Sequence, residues 1–65
     1  HQARSARLRV TALEGLLAVT EHIPYTRLYP FRTLVSKELL RALDDCKAGV
    51  RVLAGRIRNK WLIMK

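Results

Sequence analysis

Apolar residues crowd the start of the chain at helical spacing. Leu8, Val10, Ala12, Leu13, Leu16, Leu17 and Val19 fill more than half of a helical wheel between Ser5 and about Glu21. So wide an apolar arc predicts a helix buried on two sides. Ile23-Pro24 ends it, because the residue before a proline is pushed out of the helical region and proline cannot continue the ladder. Tyr25-Thr26-Arg27-Leu28 reads as a short connection. Pro30 stands where a first-turn proline costs least, and Phe31, Leu34, Val35, Leu39, Ala42 and Leu43 follow at steps of three and four, which predicts a second helix over about 30–43. Asp44-Asp45 comes next: both residues favour turns and can accept hydrogen bonds from the first N–H groups of a following helix, so a tight turn and an N-cap are expected together. The third helix, over about 46–62, has the cleanest stripe, with Val50, Leu53, Ala54, Ile57, Trp61 and Met64 on one side. Gly49 and Gly55 inside it each cost about 1 kcal/mol relative to alanine, which points to a close backbone approach at those positions.

The expected architecture is all-α: three helices, each antiparallel to the next, with one loop of several residues and one two-residue turn. A chain of 65 residues allows one domain at most and buries a small share of its surface, so its stability should depend on neighbours. Its 49% apolar content, with only three glycines and two prolines, fits packed helices and not a disordered tail. The longest clean apolar run near the middle, Leu16-Leu17-Ala18-Val19, is far short of the roughly 20 residues that cross a bilayer. His1 to Arg7 is basic and acid-free like a targeting segment, but Glu14 soon follows and no methionine begins the chain, so we read it as a cut-out fragment.

Chemistry is sparse. One cysteine, Cys46, excludes an internal disulfide, suits a reducing compartment and leaves no set of residues at zinc or iron–sulfur ligand spacing. Binding a metal would require His1, His22 and Cys46 to converge from three segments, so no metal and no cofactor are expected. There is no Ser-His-Asp arrangement, no phosphate-cradling glycine loop and no HExxH, and we expect no enzyme. His22 reads as a cation near the last carbonyls of its helix, Cys46 as a small residue beside a cap, and Tyr25 and Tyr29 as rings packed under a connection with wet hydroxyls. Trp61 continues the apolar stripe and reads as an inter-helix anchor whose indole N–H needs a partner.

The net charge of +8 is concentrated in the C-terminal half, which implies an acidic partner without choosing among protein, nucleic acid and anionic lipid. At about 100° per residue, Lys47, Arg51, Arg58 and Lys65 fall within roughly 40° of one another beside the apolar stripe. They are the candidate partner-binding residues, and Arg56 and Lys60 flank the other edge. A plain solvated face whose long side chains cover the rim of the core accounts for them equally well.

Leu43-Asp44-Asp45-Cys46-Lys47-Ala48-Gly49-Val50-Arg51-Val52-Leu53-Ala54 carries the pattern L-D-D-x-K-x-x-V-R-x-x-A found at the turn and second helix of a HEAT repeat. In that pattern Asp44 and Asp45 form the corner and cap, Val50 and Ala54 lie one turn apart on the buried face, and Arg51 reaches polar groups of an adjacent repeat. Together with Leu28-Tyr29-Pro30-Phe31-Arg32, Arg41-Ala42, Arg58 and Trp61, the string resembles the C-terminal repeats of the HEAT scaffold family that delivers iron–sulfur clusters to cytosolic and nuclear proteins, a family also tied to nucleotide excision repair, transcription and methionine synthesis. The resemblance covers about Leu8 to Trp61. Ala48, Gly49, Gly55 and the absence of an acid near Leu53 depart from the pattern and mark a divergent member.

The resemblance implies about one and a half HEAT repeats at the end of an α-solenoid. It also implies a protein-binding scaffold of the cytosolic iron–sulfur assembly targeting complex, in cytoplasm and nucleus. Its partners would be a small carrier subunit, a WD40-propeller subunit and apoproteins such as helicases and polymerases, and the cluster would lie elsewhere. The alternative is a basic three-helix DNA-binding domain that reads the major groove through Arg51, Arg56, Arg58 and Lys60. Against it, the third helix begins Lys47-Ala48-Gly49-Val50, where a recognition helix carries base-reading polar residues.

Overall fold

The structure is a computed structural model that describes residues 5–64. Its first long helix, α1, spans Ala6–His22. Ser5, in an extended conformation, caps it by accepting the Leu8 N–H on its Oγ at 3.2 Å. Ile23 leaves the helix in an extended conformation ahead of Pro24, as the sequence predicts. The expected loop is itself helical. A single turn, α2, spans Tyr25–Leu28, and a 3-10 stretch at Tyr29–Phe31 leads directly into α3, Arg32–Leu43. Pro30 sits in the 3-10 stretch, before the second long helix begins and not at its first turn. It has no N–H to give, and the tighter local winding bridges the gap. The turn also earns its place by burying Leu28.

Asp44 to Lys47 form the corner, and α4 spans Ala48–Ile63, starting two residues later than the sequence suggests. The cap differs as well. Lys47 is the N-cap residue of α4, and it places no side-chain bond on the helix. Asp44 instead closes α3, its N–H reaching back to the Arg41 and Ala42 carbonyls. Asp45 accepts the Lys47 N–H on Oδ1 at 2.9 Å, which shapes the corner ahead of the helix without capping it.

Both α1 and α3 pack on α4, which is the shared element. The core comprises Leu13 of α1, Leu39 of α3 and Val50, Ala54 and Ile57 of α4. Leu39, Val50 and Ile57 are less than 2% exposed or at that limit, and each such side chain contributes about 1.5–3 kcal/mol of burial. Contacts fix the directions: α1 meets α4 near its start through Arg9 and Asp45, and near its end through Thr20 and Trp61. So α1 and α4 run parallel, with α3 antiparallel to α4. This is an all-α, strand-free packing among the described residues, consistent with the end of a HEAT-like solenoid in which one second helix stacks on the next.

Two expectations fail on the surface. Only one side of α1 is covered, since Leu8 and Val19 are exposed along with Ala12 and Ala18. Gly49 also has open space where a Cβ would stand, and a Cβ on Gly55 would meet only Leu43 Cδ2 at an ordinary 3.9 Å, so neither glycine marks a close helix approach. No helix of the described residues is long and apolar enough to cross a membrane.

Candidate partner-binding surface

One stripe of α1 carries Arg9, Leu13, Leu16 and Thr20 at steps of four, three and four, the spacing that keeps side chains on one face. Leu13 enters the core, and the polar residues at the two ends of the stripe fasten α1 to α4. At one end the Arg9 guanidinium donates from Nε to Asp45 Oδ2 at 2.5 Å and from Nη2 to Oδ1 at 2.9 Å, the two-pronged geometry that arginine offers a carboxylate. Asp45 is buried and Arg9 half-buried. The hydrogen bond from Arg9 and then the one from the Lys47 N–H hold the Asp45 carboxyl below its ordinary acidity range, against the opposing pull of burial. The same hydrogen bond raises Arg9 further into its charged state.

At the other end the indole N–H of Trp61 donates to Thr20 Oγ1 at 2.9 Å, while the Thr20 hydroxyl donates to the Leu16 carbonyl at 2.8 Å. Glu21 and Lys60 form an ion pair beside it at 3.3 Å. Sequence reasoning singled out Trp61 and Asp45 but neither Arg9 nor Thr20. The signal available was their spacing on the Leu13 stripe, two polar residues exactly where apolar ones would continue it.

Three of the four candidate cations lie among the described residues. Lys47 and Arg51 are exposed at the corner, and Arg51 donates from Nη1 to the Asp45 carbonyl at 2.7 Å, which braces its own turn with one of its five N–H donors. Arg58 is exposed about 10 Å further along α4. Lys65 lies outside the described residues. Of the structural set, Asp44 is exposed, Asp45, Val50 and Ala54 are buried, and Trp61 is half-buried. Among the four side chains a DNA-reading helix would use, Arg51 and Lys60 each make a contact within the chain, and Arg56 and Arg58 lie about 160° apart around α4.

Arg58 instead joins residues that the sequence could not bring to it. A groove of about 610 Å³ runs between α3 and α4, with Arg32 and Lys37 from α3, Arg58 from α4, and Leu39, Trp61 and Leu62 between them. Arg32 lies over the Tyr29 ring, 3.8 Å from its centre, and donates to the Tyr29 carbonyl at 3.0 Å. Tyr29 in turn meets Tyr25 edge to face, with centres 5.7 Å apart. A second groove, of about 430 Å³, lies between α1 and the start of α3 and is almost wholly apolar, with Leu16, Val19, Phe31 and Leu34 in its lining and Trp61 as a wall common to both grooves. Cys46 is exposed and free, and no group of three or more His, Cys, Asp or Glu residues that could hold a metal occurs among the described residues.

No protein-family model matches the chain, and no solved structure matches it. Curated proteins do match it. The MMS19 nucleotide excision repair protein homolog of Dictyostelium discoideum is 38% identical over 58 residues, 89% of this chain and 5% of that protein. The DNA repair/transcription protein mms19 of Schizosaccharomyces pombe is 43% identical over 56 residues, 86% of this chain and 6% of that protein. The MMS19 nucleotide excision repair protein homolog of Arabidopsis thaliana is 41% identical over 54 residues, 83% of this chain and 5% of that protein. The chain therefore spans only about a twentieth of the length of these relatives. By sequence it belongs with the MMS19 nucleotide excision repair proteins, as a homologue of one short segment of them.

Proposed function

We propose that the chain is a partner-binding segment, from the C-terminal HEAT repeats, of a scaffold in the cytosolic iron–sulfur assembly targeting complex. In this reading it catalyses nothing. It helps hold a small carrier subunit and a WD40-propeller subunit in cytoplasm and nucleus, while clusters pass to apoproteins that include DNA repair and replication enzymes. The iron–sulfur cluster is cargo held by other subunits. The observation that carries the reading is the 38–43% identity of most of the chain to relatives named for excision repair and DNA repair/transcription. The packing supports it: α1 and α4 stack in parallel and leave apolar and basic grooves at the surface, as a solenoid segment that binds proteins would.

The test is removal of this segment from the full-length protein. Capture of the carrier and propeller subunits from extract should fall, and so should iron incorporation into client apoproteins. Undiminished capture together with undiminished incorporation would overturn the reading.

A further inference from the structure

We propose that the groove between α3 and α4 docks an acidic peptide segment of a protein partner, one in which carboxylates alternate with large apolar side chains. The proposal rests on the scaffold reading above and names the chemistry of the partner.

Three cations, Arg32, Lys37 and Arg58, line the groove, and no Asp or Glu does. Three of the five acids are engaged elsewhere, Glu38 with Arg41 at 3.4 Å, Glu21 with Lys60 at 3.3 Å and Asp45 with Arg9, and the other two, Glu14 and Asp44, do not line the groove. Neither Lys37 nor Arg58 takes part in an ion pair among the described residues. Arg32 is held in place by the Tyr29 ring and carbonyl, yet a guanidinium has five N–H donors and keeps several for a ligand. The groove thus presents positive charge that no acid among the described residues pairs with, part of it already ordered.

Between these cations the lining is hydrocarbon. Leu40 is 56% exposed and Leu62 is 62% exposed, large side chains that gain by being covered. That combination selects a peptide over a nucleic acid. A phosphate backbone gains from the cations but nothing from leucine, and a base needs an open aromatic face on which to stack. The rings at hand are poorly placed for stacking: Trp61 is half-buried with its N–H bonded to Thr20, and Tyr25 is half-buried against the edge of Tyr29. The volume of about 610 Å³ suits a few side chains of an extended or helical segment.

The probe is a fluorescein-labelled peptide of about a dozen residues that alternates Glu with Leu and Phe. Anisotropy titration with the 65-residue chain at low salt should show saturable binding, stronger than that of an all-Glu peptide of equal charge or of an oligo-dT strand of equal charge. The double variant Lys37→Glu with Arg58→Glu should weaken it by at least about tenfold. Leu62→Ser should weaken it too, whereas Arg56→Glu, an exposed cation outside the groove, should leave it nearly unchanged; circular dichroism and Trp61 emission establish that each variant is folded. Absence of peptide binding to the folded chain overturns the proposal. Equal binding of the all-Glu peptide, tighter binding of oligo-dT, or an Arg56→Glu loss as large as that of the double variant also overturns it.

The full-length protein separates this from the parent reading. If the Lys37→Glu, Arg58→Glu protein captures its subunits normally while deletion of the whole segment abolishes capture, the groove proposal fails and the scaffold reading stands.

Discussion

Asp45 does more than a turn residue usually does. It sits buried at the corner, accepts both prongs of Arg9, receives the Lys47 N–H, and lends its carbonyl to Arg51. Because its folded carboxyl is held below the ordinary value of 3.8, the charged form stabilises the fold at neutral pH, and that contribution disappears as pH falls through the lowered value. Asp45→Asn should therefore lower the melting temperature at pH 7 and bring it closer to that of the parent chain in acid; parallel melting curves from pH 7 down to about 3 check this. An acid slope unchanged by the substitution would remove Asp45 from the account. The Asp-Asp pair was legible as a corner, but which aspartate turned inward was not, because that depended on an arginine 36 residues earlier. Arg9 looks like an interruption of an apolar run until a buried acid is known to stand opposite it.

Helix identity was easier to read than helix surroundings. The α4 stripe from Val50 to Trp61 is buried or half-buried, because periodicity alone fixes which side of a helix is apolar. The reading of α1 went too far for the same reason: a wide apolar arc shows what could be covered, and within these residues only the Leu13 side is. The α2 turn escaped notice because Pro24 and Pro30 bracket it like loop residues, although Pro24 occupies its N-cap position. Glycine is the clearest element-scale prediction. Gly15 lies well inside α1 with nothing within 4 Å of a would-be Cβ, so Gly15→Ala should stabilise the chain by about 0.5–1 kcal/mol, measurable by urea unfolding. Gly49, in the first turn of α4, should give less.

At the scale of the whole molecule, no sequence pattern could have assembled the grooves. Arg58 was visible as a cation beside a stripe, but Arg32 and Lys37 reach it only once α3 folds back along α4. The apolar groove has a consequence in solution. Phe31 and Leu34, 56% and 59% exposed, should make the isolated chain associate as its concentration rises. Sedimentation velocity should detect this, and Phe31→Glu with Leu34→Glu should return it to a 7.5 kDa monomer; a parent chain monomeric at every concentration would contradict it. The two fastenings between α1 and α4 differ in kind, a charged latch at Arg9 and a neutral pin at Trp61, backed only by the exposed Glu21–Lys60 pair, which contributes little. Acid therefore weakens the clasp at the start of α1 and spares the one at its end, so the two ends of the same helix answer differently to a falling pH.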